Sequence, residues 1–250
     1  MKECMFFDAN CRIGNSMNAP GPDAKELLSD MDFYGVDKSL VRHAAIPTGA
    51  LASNLNLAEM LRADDSGRLT GVWCILPGQC DEQPEPDRFF AEMKKNRIGA
   101  ITLSPFEHRY VPCRWTLGKI MDAAAERRIP VLLDAFSMKW AELYSFVKEF
   151  PGNVFFYFEA WGKWGTDRQI RPLLENLPRF YFGTTGYWNP EGLRDLAEIY
   201  GADRILYASG FPVYNQGSQM LQLKQSGLDE ESIAEIAGLN LENLLKGAQL

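Results

Sequence analysis

Histidine is nearly absent from this 250-residue chain: His43 and His108 are the only two, and neither lies in a paired metal-binding motif. An imidazole-built zinc site needs several such ligands at fixed spacing, so histidine alone does not supply one. The five cysteines, Cys4, Cys11, Cys74, Cys80 and Cys113, form an odd set without CxxC spacing. That argues against a disulfide framework or a structural zinc site and leaves free thiols as the expectation. Clustered basic residues are missing too. With 26 Lys and Arg against 33 Asp and Glu, the formal net charge is -7 and the pI is near 5.0. Nucleic-acid binding relies on grouped cations that neutralise phosphates, so no nucleic-acid partner is expected. No apolar run has the length needed to cross a bilayer, and the opening run Met1–Asp8 is too short for a signal peptide. These absences predict a cytoplasmic protein with no membrane partner.

What the chain does contain is alternation. Hydrophobic residues make up 46% of it, enough for one large core, and strand-length apolar runs are separated by helix-length amphipathic stretches. The strand runs are Cys4–Phe7, Leu40–Ile46, Leu69–Ile75, Ile98–Leu103, Pro130–Leu133, Asn153–Phe158, Arg179–Phe182 and Arg204–Tyr207. Between them, Asp23–Phe33, Asp87–Lys95, Leu117–Arg127, Lys139–Glu149 and Pro190–Tyr200 place apolar residues at helical spacing. Glu230–Ala237 and Leu241–Lys246 read as a terminal helical pair. This rhythm predicts a (β/α)8 TIM barrel with a C-terminal helical extension, a single domain over residues 1–250.

A barrel of this kind carries its chemistry at the carboxyl ends of its strands. The polar residues predicted there are Asp8, Asn10 and Arg12 after the first strand, Asp134 after the fifth and Glu159 after the sixth. Thr184 and Thr185 follow the seventh strand, and Ser209 and Gly210 the eighth. Strand alternation predicts that Asp8, Asn10 and Arg12 share the inward face while Cys11 faces the helices. Arg12, opposite Asp134 and Glu159, offers a planar donor fork for a carboxylate or an oxyanion, and either acid could exchange protons. His108, just beyond the fourth strand, is a further acid/base candidate, whereas His43 within the second strand reads as a core imidazole. Cys113 lies near His108 in sequence, but a thiol nucleophile needs a base in contact with it. Aromatic side chains gather at the predicted mouth. Phe106, Trp161, Trp164, Trp188, Phe211 and Tyr214, with Asn10 and Arg12, are the substrate-binding candidates; the same rings would equally serve packing in a homodimer.

Several segments together resemble the amidohydrolase-related family of metal-dependent hydrolases and decarboxylases. Phe7–Gly14, FDANCRIG, is similar to that family's DxHxHxG opening; AAAERRIPVLLD, 123–134, is similar to a segment ending in a metal-binding His. GADRILYASGFP, 201–212, resembles GADRILFGSDFP, and GLNLENLL, 238–245, closes the match. The resemblance places Asn10 and Arg12 at the two opening His positions. It places Asp134 and Glu159 at two further His positions and Gly210 at the position of an Asp. A bound zinc lowers the pKa of its water from about 15.7 to about 7. The departures therefore imply a site without that zinc and, as the leading expectation, no cofactor. The catalytic candidates are then Asp134, Glu159, Arg12 and His108. The implied activity is a metal-independent hydrolase acting on a lactone or activated ester, or a lyase, with a small cyclic or carboxylated substrate. Two alternatives stay open: a noncatalytic small-ligand binder, and an enzyme with one Mg²⁺ or Mn²⁺ held by Asn10, Asp134 and Glu159.

Overall fold

Short runs rich in Val, Ile, Leu and Phe that are buried on both faces form parallel strands, because only the crossover helices leave neither face to water. The computed structural model describes residues 4–135, 138–158, 167–189 and 191–250. Its strands are β1 Phe7–Ile13, β2 Lys38–His43, β3 Leu69–Cys74, β4 Ile98–Thr102, β5 Pro130–Asp134, β6 Val154–Phe158, β7 Phe180–Gly183 and β8 Ile205–Leu206. They pair in parallel in the order β1 to β8, and the fold is the expected (β/α)8 barrel. The ring closes through backbone hydrogen bonds from Ala9 N to Tyr207 O (2.9 Å), Gly210 N to Asn10 O (3.0 Å) and Arg12 N to Phe211 O (2.9 Å).

The helices are α1 Ala24–Tyr34, α2 Ala50–Arg62, α3 Pro86–Lys95, α4 Arg114–Glu126, α5 Trp140–Glu149, α6 Asp167–Asn176, α7 Gly192–Tyr200, α8 Gln216–Lys224, α9 Glu230–Ala234 and α10 Asn240–Gly247. Local signals set their ends. Asp23 and Glu26 form a reciprocal capping box at the start of α1, and Gly35, in the left-handed region at φ 76°, ends it. Pro86 opens α3, where its missing N–H costs nothing, and Lys94 and Lys95 sit at the negative end of that helix.

Two apolar layers result. Phe7, Ala9, Leu40, Val72, Ala100, Leu132, Phe156, Phe158, Leu206 and Ala208 fill the barrel interior. Their strand neighbours, such as Val41, Trp73, Ile101, Leu133 and Tyr157, pack outward among the helices. Burying each large side chain contributes about 1.5–3 kcal/mol. The terminal helical pair is one continuous stretch: α9 passes through a π-helical turn, Glu235–Leu239, into α10. It plugs the amino end of the barrel, with Leu241 entering the interior layer and the Tyr207 N–H bonded to Ile236 O. Gly238 permits that approach, since a Cβ there would lie 2.6 Å from Met5 O and 3.1 Å from Phe7 N. Among the described residues no helix is long and apolar enough to cross a membrane.

Candidate functional site

The carboxyl end of β1 departs from strict alternation. Its register against β2 shifts between Asp8 and Cys11, so one extra residue is accommodated and the facing pattern flips. Phe7 and Ala9 point into the barrel, whereas Cys11 and Ile13 point to the helices. Asn10 and Arg12 consequently face the mouth, but Asp8, expected beside them, is turned into the layer between sheet and helices. There its fully buried carboxylate accepts the backbone N–H groups of Asn10 (3.0 Å) and Ser209 (2.9 Å) and the Gln216 side-chain amide (2.9 Å). Asp8 thus ties the end of β1 to the segment after β8 and to α8, and it reaches the mouth only through Asn10.

At the mouth the decisive group is Arg42, near the end of β2, which sequence reasoning passed over. Its Nη1 donates to Asp134 Oδ2 at 2.5 Å and its Nη2 to Asn10 Oδ1 at 3.2 Å. The Asn10 amide in turn donates to Thr185 Oγ1 at 3.0 Å. Arg12 Nη2 stands 3.8 Å from the same Asp134 oxygen. Arg42 is the buried member of the pair, its side chain 8% exposed against 30% for Arg12. The nearby Arg42 charge, followed by burial, pushes the Arg12 guanidinium down to about 10, with Asp134 acting in the opposite direction. Two cations therefore converge on one carboxylate among the described residues. The signal available in the sequence was a lone Arg in the apolar run Leu40–Val41–Arg42–His43, on the same face of β2 as Leu40.

These groups open onto a cavity of about 220 Å³ whose wall includes Arg12, Arg42, His43, Thr102, Ser104, Glu107 and Asp134. His43 takes part through a ring whose Nδ1 accepts the Ala45 N–H at 3.1 Å. Burial lowers its pKa, which keeps it the neutral imidazole expected of a core residue. The acid/base candidate His108 donates its Nε2–H to the carbonyl of Ile46, a residue of the cavity wall, at 2.8 Å. Of the aromatic candidates, Phe106 is 81% exposed and Phe211 is buried in the outer core. Trp188 and Tyr214 meet edge to face, with ring centres 5.8 Å apart, and none of these four lines the cavity. Glu159, Trp161 and Trp164 lie outside the described residues. Burial and the adjacent Asp8 hold the Cys11 thiol well above its ordinary pKa. Burial pushes Cys74 up to about 12, and the Cys113 thiol contacts Val111 O and Thr116, with no base in contact with it among the described residues.

Gly210 adopts φ +86°, a region that favours glycine, and a Cβ there would approach Thr185 Cγ2 to 2.6 Å. Position 210, after β8, therefore contributes backbone and no side chain. Among the described residues no group of three or more His, Cys, Asp or Glu is placed to hold a metal ion. The Asn10 and Asp134 oxygens already face guanidinium groups, so these residues do not by themselves fit a divalent cation. The alternative ligand set of Asn10, Asp134 and Glu159 includes a residue outside the described ones.

Solved structures with this fold are numerous. A dihydroxybenzoic acid decarboxylase from Polaromonas sp. JS666, with bound manganese and 2-nitroresorcinol, is 15% identical; the alignment covers 98% of this chain and 97% of that one at a TM-score of 0.70. A 5-carboxyvanillate decarboxylase from Novosphingobium aromaticivorans, with manganese and 4-hydroxy-3-methoxy-5-nitrobenzoic acid, is 13% identical over 97% and 96% of the two chains, at 0.70. A putative amidohydrolase from Staphylococcus aureus is 14% identical over 97% and 99%, at 0.73. Against the expectation that no cofactor belongs to this site, both of these decarboxylase structures contain bound manganese. Among curated proteins none matches the chain in sequence. The amidohydrolase family model Amidohydro_2 matches residues 15–246, beginning just after the segment that carries Asn10 and Arg12. With that match spanning most of its length, the chain belongs to the amidohydrolase-2 family.

Proposed function

We propose that this barrel is a lyase of the decarboxylase kind, acting on a small ring acid that docks its negative charge on Arg12 and Arg42. The observation that carries this reading is the pair of guanidiniums converging at one small cavity, with Arg12 pushed down to about 10 by its neighbour. An anionic ligand relieves that repulsion, and a planar fork suits a carboxylate. A volume near 220 Å³ is below the usual range for drug-sized ligands, about 300–1,000 Å³, and favours a single ring. The manganese-containing decarboxylases of the same fold support a carboxylated substrate and a divalent metal.

Decarboxylation breaks one C–C bond, leaves its electron pair on the ring carbon, releases CO2 and delivers a proton to that carbon. A cation resting only on the departing carboxylate would favour the ground state, because that charge disappears as CO2 forms. Two cations avoid this penalty, since charge that moves into the ring stays beside the second guanidinium. Arg42, fixed by Asp134 and Asn10, is the rigid member. Arg12, more exposed, is the one that adjusts to the ligand. Nothing in the site favours a lactone or ester over an acid, so hydrolysis is the comparison arm of the test.

The test is CO2 release from a panel of hydroxylated and methoxylated benzoates and dicarboxylates, run with added Mn²⁺ and again after chelation, with lactones and activated esters alongside. Release from at least one acid, abolished in Arg42→Met, is the expected result. A second reading, a binder without turnover, has its own support: Asn10 and Asp134 are committed to internal partners, and Gly210 supplies no side chain. Thermal stabilisation by an acid without CO2 release would establish that reading instead. Neither release nor stabilisation by any acid would reject both.

A further inference from the structure

The same cavity has a second charged wall that the proposed reaction does not use. Beyond β4 the chain turns through Ser104 and Glu107, and the Ser104 hydroxyl donates to Glu107 Oε2 at 2.9 Å. Among the described residues Glu107 enters no ion pair, and its Oε1 has no hydrogen-bond partner. It nevertheless lines the cavity that Arg12 and Arg42 also line, with the smaller Thr102 and Ser104 belonging to the same wall. A carboxylate at a cavity wall without a cation is unfavourable unless solvent or a ligand supplies a donor.

We infer that Glu107 is a specificity residue of this cavity, its open carboxylate oxygen receiving an N–H or O–H that the ring acid carries away from its carboxylate. The inference rests on the reading of Arg12 and Arg42 as the anion-binding wall. Ser104 supplies the geometry, since its hydrogen bond holds one Glu107 oxygen and so orients the other. The two walls sort ligands by charge pattern. A ring with one carboxylate and one donor satisfies both. A ring with two carboxylates places its second anion against Glu107 and is rejected, so discrimination comes from repulsion as much as from attraction.

The experiment is calorimetric titration of the intact protein with benzoate, the aminobenzoate and hydroxybenzoate isomers, and isophthalate, repeated on Glu107→Gln and Glu107→Ala. At least one amino or hydroxy isomer should bind about tenfold or more tighter than benzoate, the size of a hydrogen bond to a charged group. Measured relative to benzoate on the same protein, that gain should vanish in both variants, and isophthalate should bind more tightly to them than to the parent. If benzoate binds but no isomer gains, or the gain survives both substitutions, Glu107 is not the discriminating group and the arginine wall stands without it. If benzoate and every substituted acid fail to bind the parent protein, the anion-binding wall itself is wrong and this inference falls with it. Melting curves of both variants, expected to match the parent because Glu107 is partly exposed, separate loss of selectivity from loss of folding.

Discussion

Arg42 is held by two acceptors inside the barrel mouth, and the consequence of removing it follows from what is left behind. Arg42→Met removes the nearer of the two cations facing the buried Asp134 carboxylate and leaves Arg12 at 3.8 Å; it should destabilise by about 1–3 kcal/mol, read as a lower urea midpoint at unchanged slope. Arg42→Met combined with Asp134→Leu should recover part of that loss, because the buried carboxylate is removed together with its nearer cation. Arg12 behaves in the opposite way. Its cation is repelled by Arg42, so its native pKa of about 10 lies below the ordinary guanidinium value, and the folded state gives up this proton before the unfolded state does. Below about 10 the repulsion is fully present; as pH rises above that it fades and this group's contribution to stability rises with pH. Arg12→Gln should therefore melt higher than the parent at neutral pH. The difference should shrink as pH climbs above about 10, while affinity for benzoate falls in the variant. The residue scale is also where the sequence was least legible. Arg12 and Asp134 are recognisable at strand ends, but Arg42 is hidden inside an apolar run, and no pattern reveals that the His108 ring turns to Ile46.

Among the elements, β1 does the most to shape the mouth. Its extra residue sends Asn10 and Arg12 inward and Asp8 outward, and Asp8 fixes that bend by accepting three donors. Asp8→Ala leaves the buried Asn10 and Ser209 N–H groups without their acceptor and Gln216 with its longer contact to Ser39 Oγ at 3.3 Å, and should destabilise by about 1–3 kcal/mol. Because Asn10 is displaced with them, benzoate affinity should drop even though Asp8 does not face the cavity; denaturation and titration on the same variant check both halves. Strand positions were readable because buried parallel strands are continuous apolar runs: β3, β4 and β6 begin and end within a residue or so of the segments chosen from sequence. The beginning of the chain was not, since Cys4–Phe7 stops where β1 begins. The apolar run there reports the part below the strand, while the strand itself continues through polar residues that close the ring. Strict alternation failed at the same place for the same reason, a bulge having no compositional mark in Asp8–Ala9–Asn10–Cys11.

For the molecule as a whole, the barrel interior is completed from outside the barrel. Leu241 of α10 enters the layer made by Phe7, Leu40 and Leu206, and it is 1% exposed. Leu241→Ala should cost about 2–5 kcal/mol, with a midpoint shift in denaturation reporting on the entire fold, although the substitution lies far along the chain from the strands it supports. The closing bonds carry a further meaning once order of synthesis is considered. Ala9 must wait for Tyr207, and Tyr207 for Ile236. At a pace of roughly 5–20 residues per second, the gap is on the order of tens of seconds. Throughout that interval the nascent chain presents β1 as an unpaired edge with Phe7 and Ala9 uncovered, a template for neighbouring chains. Ribosome spacing and chaperone supply, more than the equilibrium stability of the finished barrel, should then govern how much of this protein a cell recovers in folded form.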